Sequence, residues 1–195
     1  IDATNLSTGG GLKHITELLQ HVEPSKHGIK KITIWAHHNV LNQIEEKKYL
    51  NKIDVSSVNN LFRRLIWQLV TIKKNIISTN CDILFVPGGT YIGSFRPFVT
   101  ISRNMLPFEF KELIRYGLSR TTFRLLTLRV LQACTFKRAN GLIFLSDFAK
   151  LKISKILHLN SSKSRIIPHG VLSNSNKNLK VQRSINNYSF NKPFK

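Results

Sequence analysis

Three consecutive glycines, Gly9, Gly10 and Gly11, stand between a short apolar and acidic segment and a helical pattern that begins at Leu12. A strand–turn–helix arrangement of this kind presents unpaired backbone N–H groups at the helix start, where the helix dipole favours negative charge. Because glycine has no Cβ, a phosphate or a sugar can approach such a backbone closely. The run predicts contact with a ligand that carries phosphate or hydroxyl groups, although plain strand-to-helix packing uses the same glycines.

Predicted strands further along the chain are followed by residues that could also contact a phosphate or a sugar. They are His37 and His38, Gly88 and Gly89, Arg103 and Asn104, and Ser146. Two adjacent histidines make a poor metal site, because neighbouring side chains diverge and no third ligand is placed with them. We therefore expect ligand contacts at these positions and no bound metal. The alternatives to ligand contact are structural: a helix N-cap at Ser146 and a loop held by Pro107 after Arg103.

Glu109 is one of the 10 acidic residues of the chain and follows Arg103 closely in sequence. A carboxylate at this position could take the proton from an attacking hydroxyl group. The competing interpretation is structural, because an acidic residue in the first turn of a helix complements the helix dipole.

The elements that position these residues alternate along the chain. Short apolar runs predict strands at 32–36, 82–86, 98–102, 141–145 and 165–167, and residues 1–3 have the character of a strand's tail. Helical spacing predicts helices at 12–22, 60–77 and 121–138, after Ser146, and from about Glu109. The alternation predicts an α/β fold, a single Rossmann-like domain with a mostly parallel sheet. Ligands of such sheets bind outside the carboxyl ends of the strands, where the residues named above lie.

The formal net charge of +20, from 30 basic and 10 acidic residues, predicts an anionic partner: a phosphorylated substrate, an acidic membrane surface or nucleic acid. A compositional bias towards Lys, Asn and Ile would produce the same charge. No apolar run reaches the roughly 18 residues that cross a bilayer, and the start lacks the layout of a signal peptide. Cys81 and Cys134 are far apart, which is typical of reduced thiols in a cytoplasmic protein.

Four segments, taken in chain order, match patterns of one enzyme family. They are the glycine turn at 5–11, the strand and loop at 99–109, the segment 138–150 (Arg-Ala-Asn-Gly through Ser146 to Phe-Ala-Lys) and the segment 165–171, which contains Ile-Pro-His-Gly-Val. Together they resemble the N-terminal domain of a glycosyltransferase family 4 (group 1) enzyme, which has the two-domain GT-B fold. The last two segments are the more specific ones.

This resemblance implies transfer of a sugar from a nucleotide-sugar donor to a cell-surface polysaccharide or lipid-linked glycan, by a bacterial-type enzyme that is cytoplasmic or peripheral to an anionic membrane. Residues 1–171 would form the acceptor-side domain, and 172–195 a linker towards a C-terminal domain that grips the donor. His169 and Gly170 would be the hinge. The family implies retention of configuration and no cofactor besides the donor, and we expect residues 1–195 alone to be inactive.

The same resemblance assigns roles to the candidate residues. The residues expected to bind the donor or the acceptor are Gly9, Gly10, Gly11, His37, His38, Gly88, Gly89 and Ser146. The residues expected in the catalytic region are Arg103, Asn104 and Glu109. The chain departs from the family at 102–104, where many relatives carry a catalytically important histidine. Either Arg103 and Asn104 supply polar contacts there instead, or the correspondence with the family is shifted by a residue.

Two other classes of function remain in view. A basic nucleic-acid-binding α/β domain would explain the charge, but the basic residues are scattered and no helix-turn-helix, RNA-recognition or zinc pattern occurs. A dinucleotide-binding enzyme would use a G-x-G-x-x-G turn with an acidic residue about 20 positions later. The run at Gly9 lacks the third spaced glycine, and Glu23 comes too early.

Overall fold

The computed structural model describes residues 1–110, 115, 117 and 119–170, so the expected linker at 172–195 lies outside the described residues. The strands are β1 (Ile32–Ala36), β2 (Leu50–Asp54), β3 (Leu84–Val86), β4 (Phe98–Ser102), β5 (Gly141–Phe144) and β6 (Ser164–Ile166). The α-helices are α1 (Gly10–His21), α2 (His38–Leu41), α3 (Leu61–Ile66), α4 (Ile72–Ser78), α5 (Arg120–Arg138) and α6 (Asp147–Leu157). The alternation gives the predicted α/β fold.

The predicted elements are present within about two residues of their expected ends, the usual uncertainty of such boundaries. Strand β2 is an addition that the sequence did not predict. Leu50 is its only fully buried residue, and β2 pairs with β1 at the edge of the sheet. A short edge strand that carries Asn51 and Lys52 lacks the apolar run by which a buried strand is recognised. The helix expected from about Glu109 falls mostly outside the described residues.

The predicted helix at 60–77 is continuous but irregular. It begins at α3, where the side chain of Asn60 accepts a hydrogen bond from the Arg63 N–H, widens into a π-helical turn at Trp67–Thr71, and continues as α4. The wide turn inserts one extra residue into the helix. Two successive side chains in this turn, those of Trp67 and Gln68, are both buried.

All strand pairs are parallel, and residues 1–3 join the two groups of strands into one sheet. β1 pairs with β2, and β3 through β6 pair in sequence order. Asp2 forms a parallel bridge with Trp35 of β1, and its N–H donates to the carbonyl of Phe85 in β3 at 2.9 Å. The resulting order is β2, β1, residues 1–3, β3, β4, β5, β6, the Rossmann arrangement in which the chain enters at the centre.

The two faces of the sheet are covered by different helices. On β1, Ile34 and Ala36 belong to one apolar cluster, with Ile15 and Leu19 of α1. Trp35, between them in sequence, points to the opposite face. There it joins a second cluster with residues of α4, β3 and β4, namely Ile72, Ile76, Leu84, Val86 and Phe98. A third cluster packs α5 and α6 against β5.

The segment after β3, residues 90–95, is fixed by helices on that second face. The Tyr91 N–H donates to Thr135 Oγ1 of α5 at 2.8 Å, and the Arg138 Nη2 donates to the Gly93 carbonyl at 2.6 Å. Gln68 Nε2 donates to the Thr90 carbonyl at 3.3 Å. Tyr91 itself is fully buried, and burial raises its pKa to about 12. The segment therefore belongs to the core of the domain.

We predict that Thr135→Val destabilises the protein by about 1–3 kcal/mol, because the buried N–H of Tyr91 loses its acceptor. Thr127→Val is the matched control on the same helix, since among the described residues Thr127 Oγ1 bonds only to the Phe123 carbonyl one turn earlier. We expect the control to stay within about 0.5 kcal/mol of the parent. Urea unfolding measures both, and equal effects would contradict the anchoring role of Thr135.

Candidate functional site

The crevice of the sheet lies between residues 1–3 and β3. The segment after residues 1–3 and the segment after β3 leave towards opposite faces of the sheet. Residues 1–3 lead through the glycine turn into α1, and β3 leads into Gly88 and Gly89. The two exits touch, because a Cβ on Gly88 would overlap the side-chain amide of Asn5. The structure thus brings the first and second glycine turns of the sequence analysis together at one edge of the sheet.

The three glycines of the first turn have different surroundings. Gly9 is the N-cap of α1 and has a φ of 73°, a left-handed conformation that favours glycine. Gly10 has open space where a side chain would be, with no described atom beyond its own helix and chain neighbours within 4 Å. Neither a side-chain cap nor an acidic residue occupies the first turn of α1. The start of α1 is therefore uncapped by a side chain, and the space beside Gly10 is open.

Arg103 lies against the third glycine. Its Nη2 and Cζ lie 2.6 and 2.9 Å from the position that a Cβ on Gly11 would take. The guanidinium can occupy this place only because Gly11 has no side chain. Burial lowers the pKa of Arg103, and no ion pair of Arg103 occurs within the described part of the chain. A half-buried cation without a carboxylate partner thus stands over the start of α1.

His14, one turn further along α1, extends this cluster. Its ring centroid is 5.1 Å from that of His169, with the rings in an edge-to-face arrangement. Burial lowers the pKa of His14, and the neighbouring charges of His169 and Arg103 lower it further. Its Nδ1 is buried and has no hydrogen-bond partner among the described residues. The expected hinge residue His169 thus contacts α1, whereas no described residue beyond the chain neighbours of Gly170 lies within 4 Å of where its Cβ would be.

Beneath the crevice lies a buried carboxylate that the sequence analysis did not single out. Asp2 is 1% exposed and accepts hydrogen bonds from the Thr4 hydroxyl at 2.6 Å and from Gln68 Nε2 at 2.7 Å. Asp2 also opposes the lowering of the Arg64 pKa that burial causes. The Asp-x-Thr spacing was the available signal, because it is typical of a local turn in which the carboxylate bonds to its own backbone. Asp2 therefore holds the segment from which the first glycine turn leaves.

Asn104 and Glu109 have structural partners of their own. The Asn104 Oδ1 accepts a hydrogen bond from the Leu106 N–H at 3.0 Å, which closes the turn after β4. Glu109 forms an ion pair with Lys152 of α6, and Lys152 Nζ lies 5.4 Å from the centroid of the Phe148 ring. These contacts explain both residues as supports of the loop that follows Arg103.

His37 and His38 lie at the carboxyl end of β1, beside the end of β2. The His38 N–H donates to the Ser56 hydroxyl at 2.9 Å, and the Asn42 Nδ2 is 2.9 Å from His38 Nε2. Hydrogen bonds from Ser56 lower the pKa of Asp54, and the charges of His38 and His37 add to the effect. Among the described residues no group of three His, Cys, Asp or Glu side chains is arranged to hold a metal ion.

Gly89 and Ser146 complete the residues expected at the site. Gly89 has a φ of 73°, and a Cβ there would come within 3.1 Å of the Ile101 carbonyl and 3.4 Å of Gln132 Nε2. Gln132 is buried, and its Oε1 has no hydrogen-bond partner in the described part of the chain. The Ser146 hydroxyl accepts a hydrogen bond from the Ala149 N–H at 3.2 Å, as the N-cap of α6. Ser146 therefore acts as a helix N-cap, the structural alternative to a ligand contact at this position.

Taken together, Gly10, Gly11, His14 and Arg103 form a positively polarised pocket edge at the centre of the sheet. The helix start and the guanidinium both favour a negative group, and neither is neutralised by a described carboxylate. Such an edge can bind a phosphate or polarise an oxygen that gains negative charge.

Comparisons of the sequence with protein-family models and with curated proteins found no match.

We predict that Gly11→Ala raises the pKa of His14, because the new methyl group displaces the cationic Arg103. Gly10→Ala is the matched control in the same helical turn, since no atom lies within 4 Å of its Cβ position. Histidine titration by NMR distinguishes the two variants. A His14 pKa that responds equally to both substitutions would show that Arg103 does not act on His14.

The depressed pKa of His14 also predicts a pH dependence of stability. Between the folded-state pKa and the ordinary value of about 6.5, the unfolded chain binds more protons than the folded one. The stabilisation is therefore complete above about pH 6.5 and is lost as the pH falls below it. We expect His14→Gln to flatten this part of the curve in urea unfolding at a series of pH values. An unchanged slope would contradict the proton linkage.

Proposed function

We propose that the chain is the acceptor-side domain of a glycosyltransferase that uses a nucleotide-sugar donor. The observation that carries the proposal is the convergence of Gly11, Arg103 and His169. These residues come from three of the four segments that resemble glycosyltransferase family 4, and His14 connects them in space. Segments far apart in sequence thus contribute to one cationic edge of a Rossmann-like sheet.

Sugar transfer from such a donor needs stabilisation of the diphosphate that leaves. The positive charge of Arg103 and the start of α1 would act on that developing negative charge, mostly through electrostatics and position. The open space in front of Gly10 would admit the phosphate oxygens to the backbone N–H groups. A second domain, which the family resemblance implies, would hold the rest of the donor across the cleft.

The acceptor would be a cell-surface polysaccharide or a lipid-linked glycan. In this proposal Glu109 supports the loop through Lys152 and is not the base. The imidazole of His14, with its lowered pKa, is uncharged at neutral pH and can hydrogen-bond a sugar hydroxyl. Retention of configuration, which the resemblance implies, would need no separate base to activate the acceptor.

The test measures sugar transfer by the product of the complete gene with a panel of nucleotide sugars. Release of the nucleoside diphosphate is the readout. We expect Arg103→Met to lower the rate by roughly 10²–10³-fold, the usual effect of removing one donor to a developing anion. Arg165→Met is the control, because Arg165 is exposed and, within the described part of the chain, bonds to the nearby backbone carbonyls of Ser162 and Ser164. We expect the 195-residue chain alone to show no transfer.

Several results would contradict the proposal. Failure of the complete gene product to transfer any sugar would exclude the transferase, and equal rates for Arg103→Met and the parent would exclude this site. Salt-dependent retention on DNA that is insensitive to sugar nucleotides would favour a nucleic-acid-binding domain instead.

A further inference from the structure

The helices on one side of the sheet expose several large apolar side chains. On α5, Phe123, Leu126 and Val130 are 75%, 46% and 61% exposed. Their spacing of three and four residues places them on one face of the helix. On the helix that contains α3 and α4, Phe62, Leu69 and Val70 are between 57% and 72% exposed. We call these six side chains the outer helical surface.

Both parts of this surface lie on the same side of the molecule. Right-handed connections place the helices between β2 and β3, and between β4 and β5, on one face of the sheet. The segment after β3 confirms their proximity, because Gln68 and Arg138 both bond to it. Ile92 donates its N–H to Gln68 Oε1 at 3.3 Å, and its carbonyl lies 3.4 Å from the Arg138 Nη1. The two helices therefore flank the same segment, and each has an exposed apolar face.

The two helices of the outer helical surface carry charges of one sign. No Asp or Glu occurs in 55–81 or in 113–146, whereas both helices carry basic residues. Arg63, Lys73 and Lys74 are exposed on the first helix, and Arg120, Arg124 and Lys137 on α5. Apolar side chains flanked by cations, without interspersed anions, are typical of helices that lie in the interface of an anionic bilayer.

We propose that the outer helical surface binds an anionic lipid bilayer, with Phe123, Leu126 and Val130 inserted below the phosphates and Arg124 beside them. Each inserted side chain gains from leaving water, and each arginine gains from the negative surface potential. No helix within the described residues is long and apolar enough to cross a bilayer, and the surface proposed here needs none. The inference rests on the proposed function only in explaining why the chain would bind lipid, since a lipid-linked acceptor would lie in the same bilayer.

Charge favours lipid over two other occupants. A second copy of the chain, docked through the same surface in a symmetric dimer, would oppose two basic surfaces with no acidic residue between them. The segment 171–195 contains Lys177, Lys180 and Arg183 and no acidic residue, so it too would repel this surface.

The test measures co-sedimentation of the 195-residue chain with vesicles of phosphatidylcholine, alone or mixed with phosphatidylglycerol. We expect binding to the anionic vesicles only. Phe123→Ser combined with Val130→Ser should lower the partition coefficient about tenfold or more. The matched control is Leu18→Ser with Ile29→Ser, two side chains outside this surface that are 40% and 41% exposed.

A second pair of variants separates a located contact from net charge. Arg124→Glu and Lys30→Glu change the charge equally at exposed positions, and we expect only the former to weaken binding severalfold. Circular dichroism and thermal melting confirm that each variant is folded. Equal losses within each matched pair, or no binding of the parent to anionic vesicles, would overturn the proposal. So would an apolar variant that converts a dimer to a monomer without changing vesicle binding. Sugar transfer is measured separately, so the two proposals can fail independently.

Discussion

The pairing of residues 1–3 between β1 and β3 is the constraint on which the domain depends. These residues form the central position of the sheet and connect its two-stranded and four-stranded parts. Asp2 brings a carboxylate into that centre, where an unpaired charge would be strongly unfavourable. Hydrogen bonds from Thr4 and Gln68 compensate it. The carboxylate therefore links the sheet, the helix that contains the π turn and the segment after β3.

The position of the crevice follows from this arrangement. Since the chain enters at the centre of the sheet, its first exit and the exit from β3 stand side by side. Small residues are needed there, because Asn5 fills the place beside Gly88 and Arg103 the place beside Gly11. The same crowding brings the guanidinium over the start of α1. The polarity of the site thus results from close backbone packing at the switch point and from the lack of an ion pair of Arg103 among the described residues.

Most of the fold could be predicted from the sequence, because apolar runs and helical spacing mark buried strands and amphipathic helices directly. Strand β2 could not, since its position at the edge leaves it little to bury. The site was predicted in part. Glycine turns and Arg103 are conspicuous in the sequence. The partners that decide a side chain's role are distant from it along the chain, as Lys152 is from Glu109 and His169 from His14. Such contacts depend on tertiary packing, which local spacing does not encode.

The π turn at Trp67–Thr71 makes the length of its helix matter more than its composition. Removing one residue there would restore a regular α-helix and rotate one half by about 100° relative to the other. Gln68 would then turn away from Asp2 and from the segment at Thr90. Substitutions on the exposed side of this helix leave that alignment intact, whereas a single codon deletion would not. For the packing of the domain, the number of residues in this helix is therefore more strictly constrained than the identity of its outward side chains.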